Sequence, residues 1–157
     1  MSTSLKGVDQ ARKALADGRP ALVWRQVVAD TETPVGAALK LFCGDVCGRY
    51  SLMGLDPDLV FRATGDRAEI NRDWQNDHHA FHACEGGTLE NLRALVESCR
   101  CDVPDELPPA LACLVGHFGY ETIGLVEKLP RPPHGELDLP DMLFVRPTVL
   151  LVFDRLS

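Results

Sequence analysis

The sequence predicts an α+β fold: a mainly antiparallel β-sheet that is half of a β-sandwich, with short peripheral helices. Three observations predict it. Apolar strands flank the two-residue loop Gly65-Asp66, which suits a type II′ hairpin turn because glycine comes first. A second strongly apolar strand covers 142–154. The helical segments are short and do not alternate regularly with strands, so parallel βαβ units are not indicated.

Composition and charge limit the class of protein. The 157 residues suffice for one domain, and we expect residues 1–157 to form it. A net charge of −7 without a basic block argues against a nucleic-acid partner. No apolar run reaches the roughly 18 residues that span a bilayer, and the N-terminus lacks the apolar core of a secretory signal. We therefore expect a cytoplasmic protein without a membrane partner, whose six cysteines are reduced.

The first third of the chain contains two predicted helices and one predicted strand. A helix over 8–16 ends at Gly18-Arg19-Pro20, and a strand follows over 21–29. Thr33 can cap the next helix, over about 35–41, because Pro34 suits its first position. A short connector over 43–47 then leads into the central strand.

The central stretch is a strand, a turn and a hairpin. The strand covers 49–55, and 55–58 forms a turn in which Pro57 fixes its own φ and Asp56 can bond forward to the backbone. This placement also accounts for the carboxylates of Asp56 and Asp58 without an acid–base role. The Gly65-Asp66 turn then fixes three cross-strand pairs, namely Thr64 with Arg67, Arg62 with Glu69 and Phe61 with Ile70.

The second half predicts one clear helix and two apolar strands. Residues 71–85 have no clear period and are predicted to be irregular or weakly helical. Thr88 caps a helix whose apolar stripe is Leu89, Leu92, Leu95, Val96 and Cys99. The apolar run 110–119 is predicted to be a buried strand, and 121–128 a helix. Pro147 within 142–154 implies an edge position, a bulge or two shorter strands.

Four stretches resemble the N-terminal region of anthranilate synthase component I, the large subunit of that enzyme. They occur in the family's order and at about its spacing: ADTETPVGAALKL (29–41), GRYSLMGLDPDLVFRATGDRAEI (48–70), LVGHFGYETIGLVEKLP (114–130) and LDLPDMLFVRPTVLLVFD (137–154). The large subunit of aminodeoxychorismate synthase has a similar region and is the alternative parent.

The resemblance implies a division of labour within the subunit. The family's N-terminal region packs against a longer C-terminal region that holds the chorismate and Mg²⁺ sites and the catalytic residues. The full enzyme adds ammonia to chorismate and eliminates pyruvate, and a glutamine amidotransferase subunit supplies the ammonia. Because this sequence ends at Ser157, we expect no catalytic residue, no cofactor and no synthase activity in it alone.

The resemblance also points to one candidate binding site, for L-tryptophan. Members with tryptophan feedback carry a Leu-Leu-Glu-Ser strand shortly before the GRYS stretch, and nothing here matches it. Arg49, Tyr50 and Ser51 do match the strand that borders the inhibitor pocket, so they are the candidate remnant of an amino-acid site. An amino-acid-sensing or subunit-docking module is therefore the alternative function.

Two further patterns could suggest chemistry. His78 and His82 with Cys84 have a spacing that can bind zinc, but no standard fourth ligand accompanies them, and we expect a solvated polar loop. Gly116 and Gly119 flank a His-Phe pair but lack the lysine or third glycine of a phosphate-binding loop. We expect these glycines to allow close approach of the backbone.

Overall fold

The computed structural model describes residues 4–27, 36, 50–108, 111, 114–128 and 139–154, without the side chains of Tyr50 and Ser51. The predicted connector over 43–47 lies outside these residues, as does the helix over 35–41 except for Gly36, which is helical. The described elements are two α-helices, five strands and a 3-10 helix: α1 (Val8–Ala16), β1 (Tyr50–Thr64), β2 (Arg67–Asn71), β3 (His82–Ala83), α2 (Thr88–Cys99), β4 (Val115–Phe118), the 3-10 helix (Tyr120–Leu125) and β5 (Met142–Asp154).

The five strands form one sheet in the order β3-β2-β1-β5-β4. The β1–β2, β2–β3 and β4–β5 pairs are antiparallel. The predicted α+β fold with an antiparallel sheet and short helices is confirmed. Among the described residues, no helix is both long enough and apolar enough to cross a membrane.

The hairpin has the predicted register. Phe61 pairs with Ile70, Arg62 with Glu69 and Thr64 with Arg67. Gly65 has a φ of 56°, whereas Asp66 has no positive φ. A positive φ at the first loop residue alone is the signature of a type II′ turn. The Arg62 Nη2 atom lies 2.8 Å from the Glu69 Oε2 atom on the exposed side, while Phe61 is buried. A single turn therefore sets which side chains enter the core.

The tip of the hairpin is held from two sides. The Gly65 N–H donates to the Asp141 carboxylate at 2.6 Å. The Thr88 hydroxyl donates to the Gly65 carbonyl at 3.0 Å, and the Thr88 N–H donates to Asp66 Oδ1 at 3.2 Å. Thr88 is fully buried, so its hydroxyl needs this partner. The side chain of Thr88 thus fastens α2 to the turn and does not cap the helix, contrary to the prediction.

An apolar core lies between α2 and the sheet. From α2 it takes Leu92, Leu95 and Cys99, as the predicted stripe requires, whereas Val96 is 43% exposed. The strands contribute the remaining buried members, which are Leu59, Phe61, Ala63, Ala68, Met142 and Phe144. The alternation of Leu59, Phe61 and Ala63 follows the two-residue period of a strand, and Val60 between them is also buried, on the opposite face.

The chain divides into two compact units. Unit 1 comprises 1–53, 100–112 and 150–157, and unit 2 comprises 54–99 and 113–149. Within unit 1, α1 has the predicted bounds, and Gly18 follows it with a φ of 70°. That residues 1–157 form one domain stays a prediction.

The predicted strand over 21–29 is wrong for the residues described. Residues 21–27 form no strand. Trp24 forms an isolated antiparallel β-bridge with Lys6. The apolar residues Val23 and Val27 are 46% and 56% exposed. A segment rich in β-branched residues becomes a strand only where a neighbouring strand pairs with it. Among the described residues, this segment pairs with Lys6 and not with a strand.

The predicted turn over 55–58 is also wrong. The strand β1 runs without a break from Tyr50 to Thr64. Within this strand, Asp56 has a positive φ of 53°, a backbone conformation that aspartate adopts more readily than most residues. Its carbonyl accepts hydrogen bonds from Thr148 Oγ1 at 2.6 Å and Gln75 Nε2 at 3.4 Å, which hold the segment in the sheet.

Two predictions in the last third of the chain need correction. Of the described residues in 110–119, only β4 forms a strand, and all four of its residues are exposed, because β4 is an edge strand. The helix predicted over 121–128 is a 3-10 helix over Tyr120–Leu125. The strand over 142–154 has the predicted bounds, and its pairing with β4 ends at Val145, so Pro147 lies at a local edge of the sheet on that side, one of the predicted alternatives.

Gly116 provides a test of the edge pairing. A Cβ atom at this position would collide with the backbone of Leu143 and Phe144 in β5. We expect Gly116→Ala to separate β4 from β5 and to lower the free energy of unfolding by about 2 kcal/mol, measured by urea denaturation. Gly87→Ala is the control, because its new methyl would lie 3.7 Å from Asp66 Oδ1, an ordinary contact. Equal midpoints for the two variants would contradict the described packing of β4.

Candidate functional site

The residues predicted to line an amino-acid pocket lie at the start of β1. Tyr50 and Ser51 are its first two residues, and Arg49 lies outside the described part of the chain. Their assignment as the remnant of a tryptophan pocket stays a prediction.

An ion pair that the sequence did not predict joins β1 and β5. Arg146 Nε donates to Asp58 Oδ1 at 2.8 Å, and its Nη2 donates to Asp58 Oδ2 at 2.7 Å. This two-point geometry matches the planar guanidinium to the carboxylate. The side chains are 36% and 33% exposed, so solvent weakens the pair. A specific partner, rather than a turn, therefore accounts for Asp58.

The surroundings of Arg146 stabilise its positively charged form. The Asp58 carboxylate, which accepts its hydrogen bonds, raises the pKa of the guanidinium, and burial opposes this effect. Arg146 Nη1 also lies 3.9 Å from the Cys99 sulfur on α2. These contacts link β1, β5 and α2, and the charges of Asp58 and Arg146 are paired with each other. The arrangement therefore supports a structural role for Asp58.

The histidine-rich segment is ordered by aromatic contacts. The Trp74 ring stacks on His78 with centroids 4.4 Å apart, and Phe81 lies against Trp74 at 6.1 Å. The Arg62 guanidinium lies 3.8 Å from the centroid of the Phe81 ring. His82 belongs to β3, so it shares no helix with His78. In the part of the chain that the structure describes, no cluster of histidine, cysteine and acidic residues could hold a metal ion.

Cys84 and Cys99 are free thiols. Burial is the main influence on Cys84 and raises the pKa of its thiol. A raised pKa disfavours the nucleophilic thiolate. Cys43, Cys47 and Cys113 lie outside the described residues.

The glycines of the Gly-His-Phe-Gly segment serve packing, as predicted. Gly116 faces the β5 backbone directly, and a Cβ at Gly119 would lie 3.1 Å from the Asp141 carbonyl. The Gly119 N–H donates to that carbonyl at 2.6 Å, and the chain then turns into the 3-10 helix. Close backbone approach explains this segment, and no phosphate-binding role is needed.

An exposed apolar surface lies at the edge of the sheet. We define the β4 edge surface as Phe118 of β4 with Tyr120 and Leu139, which are close to the Phe118 end because Gly119 is bonded to Asp141. These side chains are 58%, 81% and 67% exposed, respectively. Val115, three residues before Phe118 in the strand, points to the opposite face of the sheet. The strand β4 carries none of the lysines or prolines that protect exposed edges. Such a surface is typical of a protein–protein contact.

Comparison with known proteins identifies homologues of this chain. No family model matches it. Anthranilate synthase component 1 of Cereibacter sphaeroides is 38% identical over 97% of this chain and 32% of that protein. The same subunit of Arthrobacter globiformis is 31% identical over 96% of this chain and 30% of that protein. This chain is a homologue of the N-terminal part of anthranilate synthase component 1.

A solved structure agrees in fold. Anthranilate synthase component I from Streptococcus pneumoniae matches with a TM-score of 0.53 and 19% identity, over 86% of this chain and 30% of that one. The chain spans about a third of the length of the anthranilate synthase relatives named here. The resemblance predicted from residues 48–70 and the other three stretches is confirmed.

The Asp58–Arg146 pair can be tested by a double-mutant cycle. We expect Asp58→Asn to cost about 1 kcal/mol of unfolding free energy, with a coupling to Arg146→Gln of about 1 kcal/mol, because two charged hydrogen bonds are lost together. The more exposed pair Arg62–Glu69 is the control and should couple by less than about 0.5 kcal/mol. Urea denaturation of the seven proteins, namely the shared wild type and three variants for each pair, measures both cycles. A weaker coupling at Asp58 than at Glu69 would show that the Asp58–Arg146 pair does not fasten β1 to β5.

Proposed function

We propose that this chain supplies the N-terminal, non-catalytic part of an anthranilate synthase large subunit. In the whole enzyme, chorismate and ammonia are converted to anthranilate and pyruvate. The observation that carries the proposal is the 38% identity to a component 1 subunit, which extends over 97% of this chain. It supports an assignment to the subunit and to tryptophan biosynthesis.

The contacts of three carboxylates, those of Asp58, Glu69 and Asp141, favour a structural role over a catalytic one. Asp58 is held by Arg146, Glu69 by Arg62, and Asp141 by the Gly65 N–H. A general acid or base needs a free carboxyl group within reach of a bound substrate. These three groups instead fasten strands and a turn, so we propose that the chorismate and Mg²⁺ sites belong to the C-terminal region of the subunit.

The β4 edge surface supports a protein partner. An edge strand with exposed apolar side chains and unpaired backbone groups gains stability when another polypeptide covers it. We propose that the C-terminal region of the same subunit does so, and that a separate glutamine amidotransferase delivers ammonia to that region. We place this assembly in the cytoplasm, in keeping with the free thiols of Cys84 and Cys99.

Reconstitution from two pieces tests the proposal. The 157-residue chain alone, with chorismate, Mg²⁺ and ammonium, should form no fluorescent anthranilate. Addition of the C-terminal region of the Cereibacter sphaeroides relative should restore activity that neither piece has alone. Anthranilate from the chain alone, or no activity from the mixture, would contradict the proposal.

The contribution of the edge surface needs its own variant. Tyr120→Asp should lower the restored activity about tenfold or more at limiting concentrations, because a buried unpaired charge disfavours association. Val96→Asp is the matched control, since Val96 is an exposed apolar residue of α2 outside this surface. Equal activity of the two variants would place the contact elsewhere on the chain.

A further inference from the structure

The backbone of the edge strand β4 has hydrogen-bonding groups that point away from the sheet. The Gly119 N–H donates to the Asp141 carbonyl at 2.6 Å, and the antiparallel register between β4 and β5 continues from there without a break. Because alternate residues of an antiparallel strand bond to the same neighbour, His117 faces β5 as Gly119 does. The N–H and carbonyl groups of Gly116 and Phe118 therefore point outwards, where the described residues contain no further strand.

The side chains of β4 give its two faces different characters. Phe118 lies on the face of the apolar core, since its ring meets that of Phe144 with centroids 4.9 Å apart. Gly116, two residues earlier, is on the same face, and His117 is on the opposite face. The core face of this edge therefore presents an aromatic ring, 58% exposed, next to a position without a side chain.

A second copy of β4, related to the first by a two-fold axis, fits this edge. If the two copies pair antiparallel about His117, each Gly116 lies opposite the partner's Phe118. The outward N–H and carbonyl groups of these two residues then bond to each other across the axis. Each Phe118 ring also covers the glycine of the other copy, an arrangement that stabilises glycine at sheet edges.

The charges of β4 permit this pairing. The strand contains no lysine, arginine, aspartate or glutamate, so pairing with itself brings none of these charges together. The net charge of −7 repels two copies at long range, but physiological salt screens charges separated by more than about 8 Å. Backbone hydrogen bonds and the Phe118 contact are therefore free to act at the edge.

We propose that two copies of this chain pair through β4, in antiparallel register about His117, where no other polypeptide covers the edge. The proposal depends on the exposed edge and not on the parentage of the chain. The contact with the C-terminal region is tested separately by reconstitution. Because the interface is centred on one short strand, the dimer is reversible and depends on concentration.

Sedimentation equilibrium of the 157-residue chain tests the association. The mean mass should rise from one chain towards two between about 10 µM and about 1 mM. Hydrogen exchange over the same range tests the register without any substitution. The amides of Gly116 and Phe118 should exchange about tenfold more slowly at the high concentration, and the amide of His117, already bonded to β5, should change little.

A charge exchange at His117 tests the two-fold axis. His117→Lys and His117→Glu each place two like charges directly opposite each other, so each variant alone should associate at least about tenfold more weakly than the wild type. An equimolar mixture should recover the wild-type affinity, because opposite charges then face each other. Val96→Lys and Val96→Glu are the matched controls, since Val96 is exposed on α2 and outside the edge. They should associate as the wild type does, alone and mixed.

Circular dichroism establishes that the variants are folded. The proposal is overturned if the chain stays monomeric up to about 1 mM, or if Gly116 and Phe118 gain no protection from exchange as the mass rises. It is equally overturned if the mixture of the two His117 variants associates no more tightly than either variant alone.

Discussion

The turn at Gly65-Asp66, held by Thr88 and Asp141, is the constraint on which unit 2 depends. Thr88 is the first residue of α2, and Asp141 directly precedes β5. Their hydrogen bonds to Gly65 therefore attach a helix and a second strand to the tip of the β1–β2 hairpin. With the tip fixed, the two-residue period of β1 directs Leu59, Phe61 and Ala63 into the core.

The same sheet explains which parts of the molecule are available to partners. The strands β1 and β5 are central, and the Asp58–Arg146 pair fastens them within unit 2. The strand β4 is an edge and has no charged side chain at that edge. The exposed apolar side chains at this edge agree with the proposal that another polypeptide covers it.

Sequence patterns predicted the features that depend on near neighbours. The bounds of α1 and β5 follow from their apolar periods and flanking residues, and the hairpin register follows from the two-residue loop. The role of Asp58 could not be predicted in this way, because its partner Arg146 is 88 positions away. The isolated opposite charges within two apolar strands were the available signal.

Other errors have the same physical origin. The run 110–119 is apolar enough to suggest a buried strand, but exposure depends on the position of β4 in the sheet, which its own residues do not determine. The Asp-Pro-Asp segment has turn chemistry, yet contacts from Thr148 and Gln75 to Asp56 keep it extended.

The most direct test of the central constraint is hydrogen exchange of the Thr88→Val variant. Loss of the buried hydroxyl leaves the Gly65 carbonyl unsatisfied, at a cost of about 1–3 kcal/mol. We predict faster amide exchange in β2, α2 and the start of β5 together, and unchanged exchange in these elements for the control Thr64→Val, because the side chain of Thr64 is exposed. Faster exchange confined to the first turn of α2 would contradict this role of the turn, because the turn would then not hold these elements together.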